Sequence, residues 1–449
     1  MYMSKFIEKI MAAGLIGLAA MPAEAAKYTF NVTNAPKDAK IELTLNATNK
    51  KSTITLTDGK GSVELNGFKP QYATMKMGYY SNQLYLEPDK DLTVTFDAKN
   101  MRNEITVTGV NVAINKYLTT TKFSAIGYAD SERDDAGFMA KADSVYNANI
   151  AALTKAKLPA DFVKQEKVRL KYLSYDMFPM YQTYHAYFKK LDNFTPNAAY
   201  YKKLAELTDI NGALLIYPEY KSFISNAILS QAFKSADRAT YNKAFIDYAS
   251  ANIKDAAVLE YVADNYIYGT VSGAGIDGKD EIIAYYHKVV KNPEMTKRMD
   301  DICAKWSALK TGSPSPSFTC PDINGKMVSL ADLKGKYVYI DVWATWCGPC
   351  RGELPHLEKL EVAYAGKDIA FVSLSCDQDK KAWEKMVTSK NMKGIQLHMG
   401  NTDSFMQKYI INGIPRFILL DRNGNIIKAE APRPSNPETA KLFDELLKK

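Results

Sequence analysis

Tyr337-Val-Tyr-Ile-Asp-Val-Trp343 runs straight into Ala344-Thr345-Trp346-Cys347-Gly348-Pro349-Cys350-Arg351. The first segment is an apolar run broken by a single acid, as expected of a strand buried on both faces of a sheet. After it, Leu354, Leu357, Leu360 and Ala363 recur with helical spacing. The spacing predicts a strand, a short turn and a helix, with Cys347 at the helix N-terminus. Unpaired backbone N–H groups and the positive end of the helix dipole favour an ionised sulfur there. Such surroundings lower a thiol pKa from about 8.5 toward roughly 3.5–7.5, and the thiolate is the form that attacks disulfides. Cys350 lies on the first turn, close enough to Cys347 to form a ring, and Pro349 suits a position whose N–H is not needed. The pair can cycle between dithiol and disulfide through a mixed-disulfide intermediate. The same C-x-x-C spacing also makes half of a zinc site. No second pair is present, and the only histidine nearby is His356, so a zinc site would lack half of its ligands.

Working outward, the segment from 318 to 449 alternates strand and helix patterns and reads as one α/β domain. It follows a Pro/Ser-rich linker, Thr311-Gly-Ser-Pro-Ser-Pro-Ser317. Residues 113–310 read as an all-α region, with helical periodicity over Phe162 to Tyr175, Tyr241 to Tyr248 and Met295 to Leu309. Residues 26–110 alternate with period two and predict a β-sandwich-like or barrel domain. Asp58-Gly59-Lys60-Gly61 in that stretch is a hairpin signal. At the N-terminus, Lys5 and Lys9 precede the apolar run Ile10 to Met21 and a small-x-small site, Ala23-x-Ala25. This predicts a secretory signal peptide over residues 1–25. The run falls short of the roughly 20 residues that span a bilayer. The expectation is a protein of the periplasm or cell envelope with no membrane span after cleavage, in a compartment where disulfides persist.

The chain has 449 residues, 46% hydrophobic and 24% charged, which excludes a disordered chain. Net charge is +8, from 58 Lys+Arg against 50 Asp+Glu. No block of like charge stands out, so nucleic acid is not an expected partner. Gly273-Ala-Gly275-Ile-Asp-Gly278 spells a dinucleotide fingerprint, yet a helix pattern rather than a strand leads into it. It reads as a loop between helices, so no cofactor and no metal are expected. Cys303, Cys320 and Cys376 read as small buried hydrophobes. Tyr181, Tyr184 and Phe188 form an aromatic stripe that reads as core.

The stretch WATWCGPC after a strand, with Ile414-Pro415 before the strand Phe417 to Leu420, resembles the thioredoxin superfamily. Pro316-Ser-Phe318, Asn324-Gly-Lys326, Leu333-Lys-Gly-Lys336 and WATWCGPCRGELP together resemble its secreted TlpA/ResA branch, related to AhpC/TSA antioxidant proteins. The resemblance implies a thioredoxin fold over about 314–449 and a thiol-disulfide oxidoreductase. It implies Cys347 as nucleophile, Cys350 as resolving thiol and Pro415 as a cis-proline facing the redox-active disulfide. It further implies that Ile414 pairs with an extended substrate, beside a surface formed by Trp346, Gly348 and Pro349. Asp341 matches the buried acid that helps move the Cys350 proton, and Glu353 the acid beside the cysteines. An added strand and helix of this branch are expected within Ile369 to Lys390. Implied partners are client proteins with disulfides and a membrane or periplasmic electron donor. The Gly-Pro dipeptide within C-G-P-C favours a reductant. Such pairs span about −270 to −120 mV, which leaves an oxidase or isomerase open. The alternative from another class is a binding protein whose terminal domain is a redox-sensitive latch.

Overall fold

The computed structural model describes residues 25–100, 105–109, 111–192, 194–234, 236–400 and 403–448. The signal-peptide expectation falls on residues 1–24, outside that set. Two compact units divide the chain, the first reaching to Asp237 with Ile253–Val258, the second holding Arg238–Asn252 and Leu259 onward.

The first unit opens with eight strands: β1 Ala26–Thr33, β2 Lys40–Leu45, β3 Lys50–Thr55, β4 Lys60–Leu65, β5 Gln71–Met77, β6 Tyr80–Leu86, β7 Leu92–Asp97 and β8 Thr106–Gly109. They form two four-stranded sheets, β4-β1-β7-β8 and β3-β2-β5-β6. Alternate residues of both, such as Phe30, Val94, Leu43, Met75 and Leu84, enter one apolar core, which is what period-two patterning demands. The Asp58-Gly59 hairpin expectation is corrected. The turn is tight, with mutual bonds between Thr57 and Lys60 at 2.8 and 2.9 Å, but β3 and β4 belong to different sheets. β4 pairs with β1 instead, and Val32 N–H donates to Gly59 O at 2.7 Å. The turn carries the chain from one sheet to the other.

Helices then follow, among them Asp135–Lys155, Ala160–Ser174 and Pro218–Phe233. A buried network ties helix to sheet inside this unit. Arg169 holds Glu166 at 2.6 Å and Glu219 at 3.0 Å, and the Tyr72 hydroxyl donates to Glu166 at 2.7 Å. Paired and hydrogen-bonded charges of this kind tolerate burial. Of the aromatic stripe, Tyr181 is core, while Tyr184 and Phe188 are half-buried against exposed Tyr128.

The second unit joins the helices Tyr241–Asn252, Gly269–Ala274, Asp280–Val289 and Pro293–Ser307 to an α/β body. The strands are β9 Thr319–Pro321, β10 Met327–Ser329, β11 Tyr337–Trp343, β12 Ile369–Ser375, β13 Ile395–His398, β14 Arg416–Leu420 and β15 Ile426–Lys428. β9 and β10 form a small antiparallel pair, and the main sheet runs β13-β12-β11-β14-β15. β11 is parallel to β12 and antiparallel to β14. All seven residues of β11 are buried, which explains its unbroken apolar run. Helices Gly348–Ala363 and Pro437–Leu447 cover the face bearing Tyr339, Phe371 and Phe417. A strand and a helix lie within Ile369–Lys390, β12 and the helix Lys380–Ser389; β12 sits inside the sheet beside β11, and the edge strand is β13. Residues 311–315 run against β15, with Gly312 N–H donating to Ile426 O at 2.7 Å and Ile426 N–H to Ser313 O at 2.8 Å.

Candidate active site

Cys347 is the N-cap of the helix Gly348–Ala363, with extended backbone and Pro349 in the first turn. Its Sγ accepts a hydrogen bond from Cys350 N–H at 3.1 Å, one of the donors that every helix start leaves unpaired. Cys347 and Cys350 are joined by a disulfide, their Cα atoms 5.3 Å apart. Both are buried, in a cluster with Trp343, Ala344 and Trp383.

The Ile414–Pro415 peptide bond is cis, and Ile414 O lies 3.7 Å from Cys347 Sγ. A carbonyl so placed can accept a hydrogen bond from the thiol in the dithiol state and from the N–H of an extended chain otherwise. Trp346 is 68% exposed beside the disulfide, and Gly348 and Pro349 are exposed as well. The expected surface residues therefore cluster at one end of the sheet.

Asp341 sits in the middle of β11, on the same face as Tyr339. Burial pushes its carboxyl well above the usual carboxylate range, and the charges of Glu353 and Glu361 push it further. Its Oδ1 is buried without a hydrogen-bond partner. Glu353 is buried too, but its two oxygens accept from Ser435 N–H and Ser435 Oγ–H, each at 2.9 Å. One acid is thus held by two donors, while its neighbour is left with an orphan oxygen.

Several contributors carry no signal in the sequence. Asp377, 1% exposed, accepts from Thr345 N–H at 3.0 Å, Thr345 Oγ at 2.7 Å and Ser375 Oγ at 2.8 Å. It braces the turn two residues before Cys347. Arg416, directly after Pro415, is buried, which lowers its pKa. It donates to Gly273 O at 3.0 Å, and its guanidinium lies 5.8 Å from the Trp306 ring. The G-x-G-x-x-G segment accordingly begins in a helix, Gly269–Ala274, and serves as a packing loop against the sheet.

The remaining cysteines lie outside the disulfide. Cys320 is buried in β9, and burial raises its thiol pKa. Cys376 is half-buried at the end of β12 and packs against the disulfide cluster, with burial, then Asp377, raising it. Cys303 is half-buried rather than core. Among the described residues no group of His, Cys, Asp and Glu could hold a metal ion. None of their helices is long and apolar enough to cross a membrane.

Residues 310–446 match the Redoxin family. Thiol-disulfide oxidoreductase ResA of Bacillus cereus (strain ATCC 10987 / NRS 248) is 27% identical over 146 residues, covering 32% of this chain and 82% of the relative. ResA of Bacillus subtilis (strain 168) is 26% identical over 121 residues, covering 27% and 67%. Among solved structures, a proposed thiol-disulfide oxidoreductase of Bacteroides vulgatus is 70% identical and covers 31% of this chain and 93% of its own, with a TM-score of 0.29. The thioredoxin domain of a thiol-disulfide oxidoreductase from the same organism is 31% identical, covering 31% and 99%, with a TM-score of 0.29. The Redoxin match takes in both cysteines of the disulfide, and with the ResA relatives it places the chain in the thioredoxin superfamily as a TlpA/ResA-like thiol-disulfide oxidoreductase.

Proposed function

We propose that this oxidoreductase reduces disulfides of client proteins in the cell envelope, with Cys347 as attacking thiolate and Cys350 as resolving thiol. The observation that carries the reading is the Cys347–Cys350 disulfide at a helix start, facing Ile414 O at 3.7 Å. A membrane or periplasmic donor supplies two electrons to open that disulfide. The Cys347 thiolate then attacks one client sulfur, and the other client sulfur leaves as a thiolate. Cys350 loses its proton and attacks Cys347 Sγ, which releases the second client thiolate and restores the disulfide. The client gains the two electrons that the protein loses.

Asp341 is the proton acceptor for Cys350 in this scheme, since burial makes its carboxyl a stronger base than an exposed carboxylate. Glu353, fixed by Ser435, supplies with Glu361 the charge that Asp341 feels. Trp346, Gly348 and Pro349 offer the client a surface, and Ile414 its backbone, beside Pro415. The N-terminal pattern of residues 1–25 supports export. The shared core of the two four-stranded sheets supports a β-sandwich for residues 26–110. That domain and the helical region are read as client-docking or dimerisation modules.

The test is reduction of a model protein disulfide by wild type and by Cys347→Ser. Loss of activity in the variant is expected, and equal rates would end the reading. Cys350→Ala should accumulate mixed disulfides that identify the clients.

A further inference from the structure

The face of the main sheet that carries Asp341 holds a polar row. Asp341 on β11 is in register with Ser373 on β12, and Ser373 with Gln396 on the edge strand β13. Residues in register on neighbouring strands point to the same face. All three are buried, at 4%, 2% and 6% exposure. The same face carries Tyr339, Phe371 and Phe417, so the row is a polar seam beside aromatic side chains.

Both ends of the seam are unfinished. Asp341 Oδ1 and Gln396 Oε1 are each buried without a donor. Gln396 Nε2 is already committed to Lys393 O at 2.6 Å. Buried polar atoms are seldom left unpaired, and bound water is the usual remedy. The outer end opens on a cavity of about 210 Å³ lined by Gln396, Glu361, Arg351, Lys390 and Lys393, among others. At about 30 Å³ per water this holds several molecules. Glu361 is pushed up to about 7 by burial and by Glu358, against the pull of Lys393. A Cβ on Gly394 would fall 2.5 Å from Glu361 Oε1, so the backbone there makes room for the carboxylate.

We propose that Asp341, Ser373 and Gln396, bridged by water and opening at Glu361, form the proton path that links Cys350 to bulk solvent. The idea rests on the reductase reading above and adds the route. When Cys350 attacks Cys347, its thiol proton passes to the Asp341 carboxylate. Asp341 then returns it along the row to Glu361 and water, and no other oxidant or reductant is needed. The charges that face Asp341 are Glu353 and Glu361 on the covering helix. Those around Glu361 are Glu358 on its own helix and Lys393 before β13, with Arg351 and Lys390 on the cavity wall.

The experiment uses the reduced full chain and oxidised glutathione, with single-turnover disulfide closure followed from pH 5 to 9. Glu361→Gln and Gln396→Leu should each slow closure by about tenfold near pH 7, less than the hundredfold or more that loss of a general base costs. Each should also displace the inflection of the pH profile, while Cys347 alkylation by iodoacetamide changes by less than about twofold. Profiles that superimpose on wild type would overturn the path. Because Gln396→Leu also alters packing, carbon-13 titration of the Asp341 carboxyl gives a second readout. Its pKa must fall in Glu361→Gln, where a nearby negative charge is gone, and an unmoved titration would overturn the path too. The two failures are separable, since wild-type activity in Cys347→Ser would strike the reductase reading instead.

Discussion

Asp377→Ala should loosen the turn that presents Cys347. The Asp377 carboxylate is almost fully buried and accepts from the Thr345 amide, the Thr345 hydroxyl and the Ser375 hydroxyl, at 2.7–3.0 Å. Hydrogen bonds to a charged group contribute about 1.5–3 kcal/mol each, and a stranded buried donor costs about 1–3 kcal/mol. The two hydroxyls can rotate toward other acceptors, but the Thr345 amide cannot. Removal of a buried charge returns part of the loss, so the net cost is about 2–4 kcal/mol. Asp377→Asn retains one accepting oxygen and should cost about half as much. Urea denaturation followed by tryptophan fluorescence isolates the relevant unit. The four tryptophans are Trp306, Trp343, Trp346 and Trp383, and all lie in the second compact unit. Exchange at Cys347 should slow about tenfold in the alanine variant, since small misplacements of a reacting group are costly. A variant within about 0.5 kcal/mol of wild type, with unchanged exchange kinetics, would refute the bracing role.

Asp341→Leu should stabilise the second unit at pH 8 more than at pH 5. The folded carboxyl has a raised pKa, so as pH rises through the ordinary carboxylate range only the unfolded chain releases this proton. Ionisation there favours unfolding, and wild-type stability declines with pH until folded Asp341 itself ionises. Equal stabilisation at both pH values would contradict this. Ser435→Ala removes the hydroxyl donor to Glu353 and leaves the amide donor. It should cost about 1–2 kcal/mol in the same urea assay, and a neutral result would mean that Glu353 does not depend on that hydroxyl.

The residues around Cys347 declare themselves in sequence because their determinants are local. A buried strand, a helix start and two cysteines one turn apart fit within fifteen positions, Tyr337 to Arg351. Pro415 is legible only through resemblance, since Ile414 just before it meets Cys347 from 67 positions away in the chain. The bonds from Ser435 to Glu353 and from Arg416 to Gly273 span 82 and 143 positions, and no periodicity announces them. Asp58-Gly59 shows the converse limit. Period-two patterning identifies a strand and its buried face but not its partner, so β3 and β4 read as a hairpin although the chain changes sheets between them. β13, only four residues long, is too short to carry a pattern, and Gln396 has no signal of its own there.

Arg416 bears on how this protein can be cut for study. A fragment starting at residue 310 would keep the whole Redoxin match yet discard the Gly273 carbonyl and the Trp306 indole that cover the guanidinium. Excision would wet a cation immediately beside Pro415, where the intact chain offers a roof of helix. Activities recorded on the excised piece would then describe a more open and more positive mouth than the one the full chain presents to its clients.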